Sequence, residues 1–200
     1  MTTSDADLAA AEAGVRARVE SGDLRSGATD ALRMYGPEIY GFLKAIARDD
    51  DLGAEAFAQL GEDLWKGLPK FRWDGTLRAW CYALARNALH RLRRDPRRAP
   101  CRNVGLTEAE VGEIAEQLRT ATAIYQRTEV KDEFRALREQ LAPEDHELLL
   151  LRLDRQMSWK DIARVRGADD DLTTRAAALR KRFERVKERL RELTTTRTLD

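Results

Sequence analysis

The sequence predicts an all-α fold, built as two small helical domains joined by a linker. Three observations lead there. Apolar residues recur at helical spacing along most of the chain, and no strand-like alternation of period two persists anywhere. The stretch DPRRAPCRNVG, residues 95–105, brings two prolines and a glycine together and interrupts that spacing. Leu172, Ala176, Leu179, Phe183, Val186, Leu190 and Leu193 then repeat at alternating steps of four and three, the stripe of one long amphipathic helix.

The elements follow in order. Ser4 with Asp7 forms a capping-box pattern that opens a first helix, with Leu8, Ala11, Val15 and Val19 on one stripe, and ESGD at 20–23 breaks it. Ala28, Ala31, Leu32 and Tyr35 mark a second helix. Gly36 is expected to end it and Pro37 to open a third, whose apolar face is Ile39, Phe42, Leu43 and Ile46. RDDDLG at 48–53 reads as a solvated turn. Ala56, Phe57, Leu60, Leu64, Trp65 and Leu68 form a broad apolar stripe up to Pro69. FRWDG, residues 71–75, is a loop with Gly75 as breaker and Asp74 or Thr76 as N-cap.

From Thr76 the spacing is helical again. Leu77, Cys81, Leu84, Ala88 and Leu92 fall on one face, and at about 100° per residue Tyr82, Arg86, His90 and Arg93 gather on the other. Beyond the linker, Thr107 and Glu110 begin an acidic helix with Val111, Ile114, Ala115 and Leu118 inward. Val130, Phe134, Leu137 and Leu141 mark another. Pro143, Glu144 and Asp145 suit the first turn of the next, because carboxylates favour the positive end of a helix dipole. Ser158 with Asp161 caps a short helix that Gly167 ends. Short helix, glycine-containing turn and long basic helix together outline a helix-turn-helix. The tail TTTRTLD is expected to fray.

Charge is segregated although the net formal charge is only +1. Residues 1–63 hold 6 basic and 13 acidic side chains, and residues 106–147 hold 5 and 11. Residues 70–102 hold 10 basic and 2 acidic, and residues 171–191 hold 8 and 3. Two basic zones on an otherwise acidic chain point to two separate contacts with a polyanion. No window approaches a membrane span, and the N-terminus lacks the basic start and apolar run of a secretory signal, so the expectation is a cytoplasmic protein with no membrane partner. Cys81 and Cys101 lie far apart, and only His90 and His146 could join them, which is unlike a structural zinc site. Gly-rich phosphate loops, GxSxG and HExxH are all missing, so neither catalysis nor a cofactor is expected.

The stretch 71–98 places four aromatic residues beside eight arginines and only two acids. A core helix accounts for Leu77, Trp80 and Cys81. It does not account for Trp73 in a polar loop or Tyr82 among arginines. Rings beside positive charge suit bases that have left the duplex, since every base offers a flat face to stack on. The C-terminal helix, with Arg175, Arg180, Lys181, Arg182, Arg185 and Lys187 outside its stripe, suits duplex DNA instead: a helix fits the major groove, arginine can donate two hydrogen bonds to guanine, and lysine neutralises phosphate.

Both regions, in this order, resemble bacterial RNA polymerase sigma factors of the sigma-70 superfamily, and within it the compact group-four, or extracytoplasmic-function, class. YGPEIYGFLKAIARD and EAFAQLGEDLWKGLPKFRWDGTLRAWCYALARNALHRLRR are similar to the family's second conserved region. LAPEDHELLLLRLDRQMSWKDIARVRG followed by ALRKRFERVKERLREL is similar to its fourth. The resemblance implies an N-terminal helical extension over 1–25 and a domain over 26–95 that binds core RNA polymerase and the minus-ten promoter element. A linker over 96–127 follows, then a domain over 128–195 that binds the minus-thirty-five element. It implies polymerase contacts at Phe57, Gln59, Leu60, Asp63 and Leu64, with Trp65 on the same helix. Melted minus-ten DNA would meet Arg72, Trp73, Asp74, Tyr82, Arg86, Asn87, His90, Arg93 and Arg94. Duplex would meet Arg175, Arg180, Lys181, Arg182 and Arg185. Many relatives are held by an anti-sigma factor, which adds a further partner to those expected. The turn within GADDDLTTRAAALRKRF is about five residues longer than the family's usual one.

Two readings of other classes remain alongside. One is a stand-alone helix-turn-helix regulator that dimerises on a palindrome without polymerase. The other is an interaction protein whose charged faces merely assemble helices.

Overall fold

A computed structural model of the chain describes residues 5–94, 138, 140–167 and 171–197. The expected cap at Ser4, the linker 96–127, Cys101, and the helices carrying Val111 and Phe134 lie outside the described residues. The fold is all-α, with no strand among the described residues. The chain divides into two compact units, residues 1–120 and 121–200.

The first unit holds α1 (Asp5–Glu20), α2 (Leu24–Ala47), α3 (Asp50–Gly67), a 3₁₀ turn (Leu68–Lys70) and α4 (Leu77–Arg94). Each break has a local cause. Gly22, at φ +84°, supplies the left-handed residue between α1 and α2, and the Asp23 carboxylate accepts from the Ser26 N–H at 3.2 Å to start α2. Arg48, also left-handed at φ +57°, ends α2; Asp49 then accepts from the N–H groups of Asp51 and Leu52 to start α3.

One expected boundary is absent. α2 runs unbroken through Gly36 and Pro37. A proline inside a helix removes one hydrogen bond and crowds the carbonyl four residues earlier, costing about 3 kcal/mol in isolation. Here the helix is buried along its length, and Ala28, Ala31, Leu32, Tyr35, Ile39, Phe42, Leu43 and Ile46 share one core. Tertiary burial of eight side chains outweighs the local penalty.

α4 also departs from the expected pattern. Leu77, Cys81, Ala88 and Leu92 are buried as expected, with Leu84 half-buried. A second stripe of Ala79, Tyr82, Ala85 and Leu89 is buried too, because α4 packs on both α2 and α3. The expectation that Tyr82 stands on the exposed face is therefore corrected: its ring meets Phe42 edge-on at 5.1 Å, inside the core.

α1 joins this core through Val15 and through one carboxylate. Glu12 accepts a 2.5 Å hydrogen bond from the Tyr35 hydroxyl and a 3.3 Å bond from the Arg78 backbone N–H at the start of α4. Arg78 in turn forks onto Glu38 with two bonds of 2.7 Å. Burial and the Glu12 carboxylate push the Tyr35 hydroxyl well above the usual tyrosine range, and burial pushes the Cys81 thiol up as well.

The second unit holds α5 (Pro143–Leu149), a widened turn over Leu150–Asp154, α6 (Trp159–Val165) and α7 (Leu172–Arg197). Pro143 occupies the first turn of α5, with Glu144 and Asp145 beside it. After Leu149 the spacing opens to i→i+5, with the Arg155 N–H donating to the Leu150 carbonyl at 3.0 Å. Leu148, Leu149, Leu151, Met157, Ile162, Val165, Phe183 and Val186 form the core of this unit.

The buried Tyr35 and Cys81 set an alkaline limit on stability. Both groups have folded pKa values raised above their unfolded ones, near 10 and about 8.5. The unfolded chain thus releases these protons first, so stability is full below pH about 8.5 and falls as pH rises beyond it. In the Tyr35→Phe variant, urea midpoints measured from pH 7 to 11 should fall less steeply than in the parent.

Candidate nucleic-acid interface

The loop between the 3₁₀ turn and α4 carries three rings in series. Phe71 stacks on Trp80 with centroids 4.8 Å apart and planes 24° from parallel. Trp73 lies 4.8 Å from Phe71, tilted by 60°. Trp73 itself adopts φ +58°, a left-handed conformation that costs an ordinary residue about 1–2 kcal/mol. It is held there by what surrounds it. Phe71 closes the 3₁₀ turn through its N–H to the Leu68 carbonyl at 3.2 Å, and Thr76 caps α4 by accepting from the Ala79 N–H at 3.2 Å. On the α1 side, the Arg16 guanidinium lies 5.7 Å from the Trp73 ring centre. The sequence marked Trp73 by its polar surroundings. It held no sign of Arg16, which is distant in the chain, or that Trp80 belongs to the same ring cluster.

The cluster depends on Gly67. A Cβ at that position would stand 2.9 Å from Cζ2 of Trp80, closer than real side chains approach.

The expected minus-ten residues separate into groups. Arg72 and Asp74 are exposed on the loop and paired with each other at 3.0 Å. Asn87 and Arg94 are exposed, and Arg86 and His90 are half-buried on the same helix. Tyr82 is not with them, as described above. Arg93 reaches solvent, but its guanidinium donates to the Ile46 carbonyl at 2.6 Å and to that of Ala47 at 3.4 Å. It therefore closes the carbonyl end of α2, where a cation is favoured.

The residues expected to touch polymerase are divided in the same way. Phe57, Leu60 and Leu64 are corrected from surface to interior: all three are buried, and Phe57 meets Tyr40 edge-on at 5.3 Å. They form the inner stripe of α3, where apolar burial is worth about 1.5–3 kcal/mol per side chain. Gln59 and Asp63 lie on its half-exposed side. Gln59 donates to Glu62 at 3.2 Å and to Asp63 at 3.1 Å, and Asp63 also pairs with Arg91. Trp65 is half-buried.

In the second unit the helix-turn-helix is built as the sequence predicts. Ser158 accepts from the Asp161 N–H at 3.1 Å and donates to its carboxylate at 2.7 Å. Gly167, at φ +81°, ends α6. Asp171 opens α7 by accepting from the Thr174 N–H at 3.2 Å, and hydrogen bonds from the Thr174 side chain and backbone hold the Asp171 carboxyl below its usual range. Arg175, Arg180, Lys181 and Arg185 lie exposed along the outer side of α7, and Arg180 leans on Trp159. Arg182 is held differently. Its guanidinium is tied to Asp145 at 2.5 Å and Glu144 at 3.9 Å, bracing α7 against the first turn of α5. Trp159, given no role by the sequence, meets Phe183 edge-on at 5.3 Å and lies under two cations, Arg152 at 4.8 Å and Arg180 at 6.0 Å. That contact aligns Arg180 beside α6.

Among the described residues no group of three or more His, Cys, Asp or Glu side chains could hold a metal ion, and no helix is long and apolar enough to cross a membrane.

A solved protein has a similar fold: the sigma factor RpoE of Bartonella quintana, whose structure was determined in complex with the anti-sigma factor NepR. The TM-score is 0.56 at 17% sequence identity, covering 82% of this chain and 94% of that one. The sequence matches no protein-family model and no curated protein. The likeness therefore lies in the fold.

Two variants probe the site's construction. Gly67→Ala should destabilise the first unit by about 1–3 kcal/mol through overpacking against Trp80, read as a lower urea midpoint with a shift in tryptophan emission. Arg182→Ala should lower the stability of the second unit by up to about 1 kcal/mol, and hydrogen exchange should show the loss in α5 and α7.

Proposed function

We propose that this protein is a sigma factor. It binds core RNA polymerase and directs initiation at particular promoters, with no catalytic activity of its own. The observation that carries the reading is the pairing of two unlike surfaces on a fold similar to a sigma factor's. One is a loop of stacked rings beside arginines; the other is a helix-turn-helix whose long helix presents Arg175, Arg180, Lys181 and Arg185.

Each surface suits a different form of DNA. Base–aromatic stacking is worth about 1–3 kcal/mol per base, enough to offset much of the cost of unstacking one nucleotide. Trp73 is the ring for that contact in a minus-ten element, with Arg72, Arg86, Asn87, His90 and Arg94 along the strand. A guanidinium set on a helix reads or neutralises duplex, which fits a minus-thirty-five element. Tyr82 supports these surfaces from the core, and Arg93 and Arg182 brace the helices that carry them. In the same way Phe57, Leu60 and Leu64 would shape α3, and Gln59 and Asp63 on its outer side are the residues we assign to polymerase.

The group-four class, a cytoplasmic setting and an anti-sigma partner belong to the same proposal. The similar fold was solved with an anti-sigma factor bound, and the segregated acidic and basic zones offer complementary surfaces for such a partner.

Run-off transcription with purified bacterial core polymerase tests the reading. Promoter-dependent transcripts are expected only when the chain is added. Promoter-duplex binding without polymerase and no transcripts would favour the stand-alone regulator. Trp73→Ala should keep polymerase binding and reduce open-complex formation, seen as weaker permanganate reactivity of promoter thymines. The triple substitution Arg180→Ala, Lys181→Ala and Arg185→Ala should weaken duplex binding and reduce the salt dependence of log K by about 0.9 for each phosphate no longer neutralised.

A further inference from the structure

The first helix reaches the ring loop, and nothing in the reading above uses it. α1 is anchored at three points: Val15 is buried, Glu12 bonds Tyr35 and the Arg78 N–H, and Arg18 pairs with Asp30 at 2.6 Å. These anchors set Arg16, one helical position past Val15, at 5.7 Å from the centre of the Trp73 ring. Arg16 is about half exposed and its other contact is Glu20, one turn along, at 2.8 Å.

We propose that Arg16 is part of the nucleotide-binding site, supplying the phosphate contact for a base stacked on Trp73. The inference rests on the sigma-factor reading of that ring. A half-exposed guanidinium on an indole is a weaker contact than a stacked base, so an unpaired nucleotide displaces Arg16 from the ring face. The displaced side chain is still tethered to an anchored helix beside the ring. A stacked base brings its own phosphate within the reach of a long side chain, and the planar guanidinium can donate two hydrogen bonds to it. Glu20 is exposed and one turn away, so its pairing with Arg16 is cheaply exchanged for phosphate. Arg72 on the loop is paired with Asp74 just as Arg16 is with Glu20, and what distinguishes Arg16 is that its guanidinium lies over the Trp73 ring.

Assigning Arg16 to DNA also gives α1 a role. It becomes a scaffold that carries one arginine to a loop more than fifty residues downstream.

The test uses the full chain assembled with core polymerase, and a fluorescently labelled single-stranded oligonucleotide carrying the non-template minus-ten sequence of a promoter the holoenzyme transcribes. Affinity is measured as a function of salt for the parent, Trp73→Ala, Arg16→Ala and Arg16→Lys. Arg16→Ala should weaken binding by about three- to tenfold and reduce the salt slope by about 0.7, the increment for one phosphate of a single strand. Arg16→Lys should restore most of the slope, since it keeps the charge. Arg16 and Glu20 are exposed, so the variant should fold normally, and circular dichroism checks this. If Trp73→Ala weakens binding while Arg16→Ala changes neither affinity nor slope, the role of Arg16 is overturned and the sigma-factor reading stands. Tighter binding by Arg16→Ala would also overturn it, since Arg16 would then only shield the ring. If the parent and Trp73→Ala bind equally, the ring site fails, and Arg16 with it.

Discussion

Two 2.7 Å hydrogen bonds from Arg78 to Glu38 fix where α4 begins, and the ring site depends on that start. Both side chains are about three-quarters buried, and a forked guanidinium–carboxylate contact sets direction as well as distance. The charge is not left to one bond. Glu12 accepts the Arg78 backbone N–H and the Tyr35 hydroxyl, so α1, α2 and α4 meet at one polar cluster. Removing a partner there would leave a charged group with its desolvation uncompensated, a loss of about 1.5–3 kcal/mol for a charge-assisted bond. From this fixed point Trp80 faces Gly67, Phe71 stacks on Trp80, and Trp73 follows in a conformation it would not adopt alone. Rigidity passes from a largely buried ion pair to the half-buried ring of the loop.

Local chemistry was legible wherever one short stretch decides the outcome. The Ser158–Asp161 cap, the stop at Gly167, Pro143 in a first turn and the Thr76 cap all depend on residues within a few positions of each other. The sequence is less informative where a distant neighbour decides. Gly36–Pro37 reads as a break because the signals at that point favour one, and only the burial of α2 on both sides of it keeps the helix whole. Tyr82 lies opposite the obvious apolar face of α4, and a helix packed on two neighbours has two apolar faces. Tyr82 followed one turn later by Arg86 looks like part of a solvated face until the second neighbour is known.

The basic zones teach the same lesson about charge. Ten basic side chains in residues 70–102 suggest a broad cationic surface. Arg78 is committed to Glu38, Arg91 to Asp63, and Arg93 to the end of α2. In α7, Arg182 is committed to α5. Arginine serves both purposes because its planar fork matches carboxylates and carbonyls as well as phosphates. Net charge still sets the long-range attraction to a polyanion, since paired arginines contribute to the field together with their acids. Under the proposed function the contacts themselves fall to side chains left at the surface, such as Arg94, Asn87, Arg180, Lys181 and Arg185.

The two sites proposed above, one for melted DNA and one for duplex, would place opposite demands on the protein. A duplex arrives rigid, so a helix with mobile cations can adapt to it, and Arg180 leaning on Trp159 is constraint enough. An unpaired strand arrives flexible and loses conformational freedom on binding, so the protein side must already be ordered if net affinity is to remain. The cost of holding Trp73 at φ +58° is met by the folding of the first unit itself. The Trp73 ring is thus positioned from the interior, through Phe71, Trp80, Gly67 and the start of α4. A strained residue on a rigid base is what a surface loop needs if it is to capture a base that would otherwise return to its stack.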